Sequence, residues 1–162
     1  MMAESKELVI YTDGASRGNP GRGGYGAILK WGPVEKELSK GYRLTTNNRM
    51  ELMAVIAALE SLKREDLDIA VYSDSQYIVK ALNEGWLNKW IATNFAKGIK
   101  NKDLWVRFYD LYQQHKIKFV WVKGHADNPG NNRCDVLATQ AADSGNLLID
   151  EGYEMNSDHL LL

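Results

Sequence analysis

The stretch Leu8-Val-Ile-Tyr-Thr-Asp-Gly14 sets the first element of the fold. Its β-branched and aromatic residues favour extended backbone, and Asp13-Gly14 is a turn signal that predicts the end of a strand after Thr12. A glycine-rich stretch follows, then a second β-like run at residues 25–31 and a third at residues 35–42. Three strands joined by short turns indicate an antiparallel meander.

The periodicity of the sequence then changes. Thr46 and Asn47 are good helix caps. Apolar residues recur after them every three to four positions, which predicts an amphipathic helix, at Leu52, Val55, Ile56, Leu59 and Leu62. The later elements are a strand at 68–72, a helix capped by Ser75, a helix at 103–114, a strand at 117–122 and a helix at 131–142. Strands separated by helices pair in parallel, so we predict an α/β fold with a five-stranded mixed sheet flanked by helices on both faces.

Length and composition predict one ordinary globular domain. The chain has 162 residues, of which 44% are hydrophobic, and two domains would each be unusually small. We place the domain at residues 1–144. After Ser144 the apolar spacing fades and acidic residues gather, so we expect residues 145–162 to form an acidic, flexible C-terminal tail.

The same features suggest a soluble protein of the cytoplasm. The single cysteine, Cys134, cannot form an internal disulfide, and the chain has no run of about 18 apolar residues that could span a membrane. Residues 1–7 lack the apolar core of a signal peptide. We expect a cytoplasmic monomer. The net charge of −1 means that binding to nucleic acid would need a local basic patch or bound cations.

Four carboxylates stand near the predicted ends of elements. Asp13 and Asp74 each follow a strand, and the carboxyl ends of parallel neighbours meet at one edge of a sheet. Glu51 and Asp135 fall in the predicted first turns of helices, where the helix dipole favours negative charge. A lone Asp at a strand end is usually a turn or cap residue. Three of these acids, however, stand among polar hydrogen-bonding residues, at 12–16, 47–51 and 73–76.

A cluster of these acids would point to a hard divalent cation. Carboxylates brought together repel one another unless a cation neutralises them. Oxygen ligands select Mg²⁺ or Mn²⁺, and the chain has no His-x-x-x-His or Cys pair that would suggest zinc. Such ions activate water and stabilise the leaving oxygen in phosphodiester cleavage. They also explain how a slightly acidic protein could approach phosphate.

Three further patterns allow both a plain and a functional interpretation. His125 follows Lys123-Gly124 in a predicted loop, where a histidine is often an exposed bystander but can also transfer protons. The stretch Gly21–Gly26 formally matches a dinucleotide-binding fingerprint, but it leads into a strand, which favours glycines that allow a hairpin. The segment from Trp86 to Lys102 interleaves aromatic residues and lysines, as a nucleic-acid contact or a solvated helix with one apolar stripe would do.

Several stretches together resemble bacterial type 1 ribonuclease H over residues 7–144. They are Tyr11–Ala15, Gly18–Gly21, Gly23–Ile28, Thr45–Leu52, Ser73–Tyr77, Trp121–Ala126 and Arg133–Asp135. The resemblance implies a ribonuclease H-like fold with its catalytic domain at 1–144. It also implies an endonuclease that hydrolyses the RNA strand of RNA–DNA hybrids, leaving 5′-phosphate and 3′-hydroxyl ends.

The resemblance also implies roles for individual residues. Asp13, Glu51, Asp74 and Asp135 would hold two Mg²⁺ ions during catalysis, for which Mn²⁺ can substitute. His125 would assist the attack of water or the departure of product.

The same resemblance implies the contacts with substrate. The minor groove of the hybrid, where 2′-hydroxyls distinguish RNA from DNA, would be contacted by Asn19, Asn47 and Gln76. Thr46 would contact a DNA phosphate. Trp86 and Trp90 would lie on a substrate-binding protrusion, the basic handle of the family.

Three alternatives remain open at this point. A related nuclease or transposase-type enzyme with the same fold would cut DNA, against which the match of Asn47 and Gln76 to minor-groove positions argues. A non-catalytic hybrid-binding module should lack one of the four acids or His125, but all five are present. A structural cation-binding protein would leave the Asn, Gln and His placements without a purpose.

Overall fold

The computed structural model describes residues 7–95, 99–123 and 128–155. Its strands are β1 (Leu8–Arg17), β2 (Gly21–Trp31), β3 (Val34–Thr45), β4 (Asp68–Ser73), β5 (Lys116–Trp121) and β6 (Leu147–Leu148). Its helices are α1 (Asn47–Glu60), α2 (Gln76–Asn83), α3 (Trp86–Ala92), α4 (Lys102–Tyr112), α5 (Pro129–Ala142) and α6 (Glu151–Glu154). Within these ranges no helix is both long enough and apolar enough to cross a membrane.

The strands form one mixed sheet in the order β5-β4-β1-β2-β3-β6. β1, β2 and β3 are an antiparallel meander, whereas β4, β5 and β6 join their neighbours in parallel. The predicted α/β class and mixed sheet are confirmed. The strand count is corrected from five to six, because the two-residue strand β6 pairs with β3 in a segment too short and too acidic to read as a strand.

Helices cover both faces of the sheet, as predicted. Side chains alternate between the faces along a strand. At Gly23 of β2 an added Cβ would lie 3.1 Å from Met50 Cγ of α1, whereas at Gly24 it would collide with the backbone of Ala138 in α5. α1 and α5 therefore pack on opposite faces. The main core lies on the α1 side, and a smaller cluster of Ile28, Cys134 and Leu137 lies under α5.

β1 is longer than the sequence predicts, and Asp13-Gly14 is not a turn. β1 pairs with β4 only as far as Tyr11 opposite Tyr72, but its ladder with β2 continues through Asp13 and Gly14 to Arg17. Glycine is required at position 14 because an added Cβ would collide with the backbone of α1 at Met50 and Glu51. The glycine signal therefore marks a close helix approach, and Asp13 lies just past the end of the β1–β4 ladder.

The C-terminal segment, residues 147–155, packs against the domain, which corrects the predicted flexible tail at 145–162. β6 pairs with Gly41 and Tyr42 of β3. Asp150 is only 7% exposed, and its carboxylate accepts hydrogen bonds from Thr45 Oγ1 at 2.6 Å and Arg49 Nε at 2.8 Å. The acid is therefore the buried partner of a guanidinium. Residues 156–162 lie outside the described residues.

Asp150→Asn should lower the stability of the whole domain. Arg49 is buried, and Asp103 at 2.7 Å is its other carboxylate partner. A neutral amide cannot replace the charge-assisted bonds, so we expect a loss of about 1.5–3 kcal/mol in the free energy of unfolding, or several degrees in Tm. Glu151→Gln, one residue away and exposed, is the matched control. Equal melting temperatures for the two variants would contradict the anchoring role of Asp150.

Candidate active site

Three carboxylates meet at one edge of the sheet. Asp13, Glu51 and Asp74, here called the acidic cluster, each offer an oxygen atom, and these atoms lie within 4.8 Å of one another. Asp74 directly follows β4, and Asp13 lies on β1 just past the end of its ladder with β4. Asp13 is 8% and Glu51 is 6% exposed. The structure thus brings together three of the four predicted metal ligands.

The positions of Glu51 and Asp135 are not explained by helix ends. α1 begins at Asn47 after its cap Thr46, and α5 begins at Pro129, so both acids lie in second turns rather than the predicted first turns. Neither helix has an acidic residue in its first turn. The helix dipole acts mainly within that turn. The placement of these acids therefore needs another reason than the stabilisation of a helix end.

Burial and mutual repulsion raise the pKa values inside the acidic cluster. The pKa of Asp13 is raised to about 8, first by burial and then by Asp74 and Asp135. Burial also raises the pKa of Glu51 well above its ordinary value, with Asp13 and Asp74 adding to the effect. The backbone N–H of Gly14, which donates to Asp13 Oδ1 at 2.9 Å, offsets only part of this. The metal-free cluster therefore resists full ionisation.

The residues present fit a hard divalent cation. Glu51 Oε1 is buried and has no hydrogen-bond partner among the described residues, although buried polar atoms are normally paired. The donor set consists of oxygen atoms alone, which suits Mg²⁺ or Mn²⁺. Asp135 is exposed and lies outside the 4.8 Å group, but its charge raises the pKa of Asp13. The fourth predicted acid thus borders the cluster.

The start of α5 contains a residue that the sequence prediction missed. Asn131 Nδ2 donates to the backbone oxygen atoms of Thr12, at 3.2 Å, and Tyr72, at 3.0 Å. The sequence prediction started this helix at Asn131 and did not predict any contact for the Asn131 side chain. Asn128 followed by Pro129 is the signal that could have placed the start correctly, because Asn favours the cap and Pro the first helical position.

The start of α1 brings together three predicted substrate residues: Asn19, Thr46 and Asn47. The backbone N–H of Asn47 donates to Asn19 Oδ1 at 3.1 Å, which ties the β1–β2 connection to the helix. Thr46 is the N-cap, as predicted, and its Oγ1 accepts from Arg49 N at 3.3 Å. Gln76 is the first residue of α2 and is exposed, two positions after Asp74.

The remaining predicted site residues are placed differently or not described. Trp86 and Trp90 lie on α3, partly buried against the main core, and the Trp90 ring centroid is 5.1 Å from that of Trp105. Packing therefore accounts for part of the aromatic pattern, and their contact with substrate stays a prediction. His125 lies outside the described residues.

Comparisons with known proteins agree on one family. The family model for RNase H matches residues 5–143. A protein named ribonuclease H from Syntrophus aciditrophicus (strain SB) is 52% identical over 152 residues, which cover 91% of this chain and 87% of that protein. Another ribonuclease H, from Chlorobium phaeobacteroides (strain BS1), is 54% identical over 140 residues, covering 84% of this chain and 95% of that protein.

Solved structures show the same fold. LC9-RNase H1, described as a type 1 RNase H with the type 2 active-site motif, has a TM-score of 0.79 at 27% identity, covering 96% of this chain and 82% of that chain. LC11-RNase H1 in complex with an RNA/DNA hybrid has a TM-score of 0.64 at 27% identity, covering 84% of this chain and 96% of that chain.

The fold and the acidic cluster, together with these matches, define a hydrolase that cuts nucleic acid. The chain belongs to the ribonuclease H family and is an endonuclease of that family, whose members hydrolyse the RNA strand of RNA–DNA hybrids. Members of this family use divalent metal ions, and the acidic cluster offers a place for one.

Asp13→Asn should raise the melting temperature of the metal-free protein near neutral pH. Folded protein keeps the Asp13 proton up to about pH 8, whereas an unfolded chain releases it near pH 4. Stability therefore falls as the pH rises between these values, and the amide removes that loss. The amide is neutral in both the folded and the unfolded state, so we expect a gain on the order of 1 kcal/mol in the free energy of unfolding near pH 7, or a few degrees in Tm.

Thermal unfolding in EDTA at about pH 4 and about pH 7 checks this prediction. The gain should be much smaller near pH 4, where the carboxyl is protonated in the folded state and about half protonated in the unfolded chain. It should shrink or reverse with saturating Mg²⁺, which stabilises only a protein able to bind it. An Asp13→Asn protein less stable than wild type in EDTA at pH 7 would instead make Asp13 a structural residue.

Proposed function

We propose that Asp13, Glu51, Asp74 and Asp135 hold two Mg²⁺ ions, for which Mn²⁺ can substitute, and that with them the chain cuts RNA within RNA–DNA hybrids. The observation that carries the proposal is the acidic cluster itself. Three carboxylates approach within 4.8 Å, and burial raises the pKa of Glu51 while its Oε1 has no hydrogen-bond partner among the described residues.

The acids differ in how deeply they lie in the proposed site. Bound divalent cations supply charge neutralisation at the phosphate and a means of activating water. Glu51 and Asp13, both largely buried, fix the inner part of the site. Asp135, which is exposed on α5, completes the ligand set from the solvent side.

The substrate face is proposed to lie around the start of α1. Asn19 and Asn47 are joined there by a hydrogen bond, and Gln76 is exposed next to the acidic cluster. We propose that these three residues contact the minor groove of the hybrid, with Thr46 at a DNA phosphate and Trp86 and Trp90 on a handle. The LC11-RNase H1 structure with an RNA/DNA hybrid supports this class of substrate.

His125 is proposed to transfer a proton during attack or product release. Its place in the chain, ten residues before Asp135, puts it close in sequence to a proposed ligand. Imidazole is the side chain whose ordinary pKa suits proton transfer near neutral pH.

We further propose that the protein works as a monomer in the cytoplasm. Asp13, Glu51 and Asp74 come together within one chain, so the acidic cluster needs no partner subunit. The only cysteine, Cys134, is free and buried, which suits a reducing compartment.

Cleavage of a labelled RNA–DNA hybrid, with matched double-stranded RNA and DNA as controls, tests the function. We expect cleavage of the hybrid alone, with Mg²⁺ and not with EDTA. Asp74→Asn should reduce turnover below about one per cent of wild type while hybrid binding is kept, since loss of a ligand costs orders of magnitude. Cleavage of all three duplexes, cleavage in EDTA or an active Asp74→Asn protein would each contradict the proposal.

His125→Ala should lower kcat by about 10²–10⁴-fold and change KM far less, because positioned proton transfer is worth that much. Steady-state kinetics on the same hybrid give both constants. An unchanged kcat with a raised KM would make His125 a binding residue instead. His115→Ala is the matched control, because that histidine lies away from the site, where its Nδ1 accepts from Leu67 N at 3.3 Å.

A further inference from the structure

Three of the four proposed ligands come from elements that separate next to the site. Asp13 lies on β1, Asp74 follows β4 and Asp135 lies on α5. The ladder between β1 and β4 ends at Tyr11 opposite Tyr72, so no backbone pairing between these two strands holds Asp13 and Asp74 in place. Some other interaction must fix their spacing.

Asn131 supplies a bond at this point. Its amide nitrogen donates to the carbonyl oxygen of Thr12, the residue before Asp13, and to that of Tyr72, two residues before Asp74. An amide NH₂ has two hydrogens, so one side chain can satisfy both strands. The orientation of the Asn131 amide group follows from these contacts. If the amide were flipped, Oδ1 would face two carbonyl oxygens and neither hydrogen bond could form.

The same residue ties α5 to the junction. Asn131 and Asp135 are four positions apart on α5 and therefore lie on one face of the helix. At Gly130 an added Cβ would lie 2.5 Å from Tyr11 Cγ, so the helix start rests directly on the Tyr11 ring. The centroid of that ring is 5.3 Å from the centroid of the Tyr72 ring. β1, β4 and α5 thus meet at Asn131.

We propose that Asn131 is a positioning residue for the metal site, which sets the spacing of Asp13, Asp74 and Asp135 by bonding β1 to β4 from α5. The inference rests on the proposed metal role of those acids. Asn131 Oδ1 is itself buried without a hydrogen-bond partner among the described residues, so the side chain is placed as a double donor. Ser has a single donor and Ala has none, so neither can replace it.

Loss of the two Asn131 hydrogen bonds should lower the affinity for Mg²⁺, beyond any effect on the stability of the fold. Partners that orient metal ligands typically contribute 10–100-fold to metal affinity or activity. We therefore expect Asn131→Ala to bind Mg²⁺ at least tenfold more weakly than wild type, and Asn131→Ser to lie between the two. Asn132→Ala is the matched control, because Asn132 is the next residue on the same helix and is exposed.

The experiment is calorimetric titration of each folded, metal-free protein with Mg²⁺, well below its melting temperature, with hybrid cleavage against Mg²⁺ concentration as a second readout. Both Asn131 variants should shift the Mg²⁺ midpoint upward in both measurements, and Asn132→Ala should match wild type. A stability role alone would lower Tm and leave these midpoints unchanged, which would overturn the proposal.

Two further variants keep the outcomes distinct. Gly130→Ala should push α5 off the Tyr11 ring and give the same rise in Mg²⁺ midpoint, so it decides the matter if the Asn131 variants do not fold. Glu51→Gln tests the metal site itself. If Glu51→Gln binds Mg²⁺ as wild type does, the proposed metal site is wrong. If it does not, but Asn131→Ser and Gly130→Ala bind normally, only the positioning role is wrong.

Discussion

Repulsion between carboxylates held at close range is the constraint around which this fold is arranged. Asp13, Glu51 and Asp74 place oxygen atoms within 4.8 Å of one another, and the pKa of Asp13 is raised to about 8 by burial and by its neighbours. Charges in such a position separate if the backbone allows it. The surrounding structure must therefore supply the restraint that keeps the acids together.

That restraint comes from both faces of the sheet. On one face, Gly14 lets the backbone of α1 approach β1, which brings Glu51 to the site. On the other, Gly130 lets α5 rest on Tyr11, and Asn131 bonds to both β1 and β4. The two glycines have the same role: each lacks a side chain at a point where a helix packs directly against a strand. The acids thus sit where three packed layers meet.

The sequence predicts what depends on near neighbours and misses what depends on distant ones. Thr46 and Ser75 are caps recognisable from the residues beside them, and the structure confirms both. The sequence around Gly14 resembles a turn signal, but glycine is needed there because α1 packs against it, and α1 is more than thirty residues away in the chain. Asp150 looks like part of an acidic tail because its partner, the buried Arg49, is 101 residues earlier in the chain. The spacing of apolar residues predicts the helices and strands, but it does not predict which of them pack against each other.

Among the described residues the buried acids are Asp13, Glu51 and Asp150, and the contrast between their partners defines the site. Asp150 and Asp103 share the guanidinium of Arg49, so that pair of acids has its own cation. Asp13 and Glu51 form no salt bridge with any Lys or Arg in the described part of the chain, and burial raises the pKa of both. A buried carboxylate needs a positive partner if it is to stay ionised. Where the fold provides none, the carboxyl group either keeps its proton or takes a cation from solution, and the oxygen-only surroundings favour a hard divalent ion.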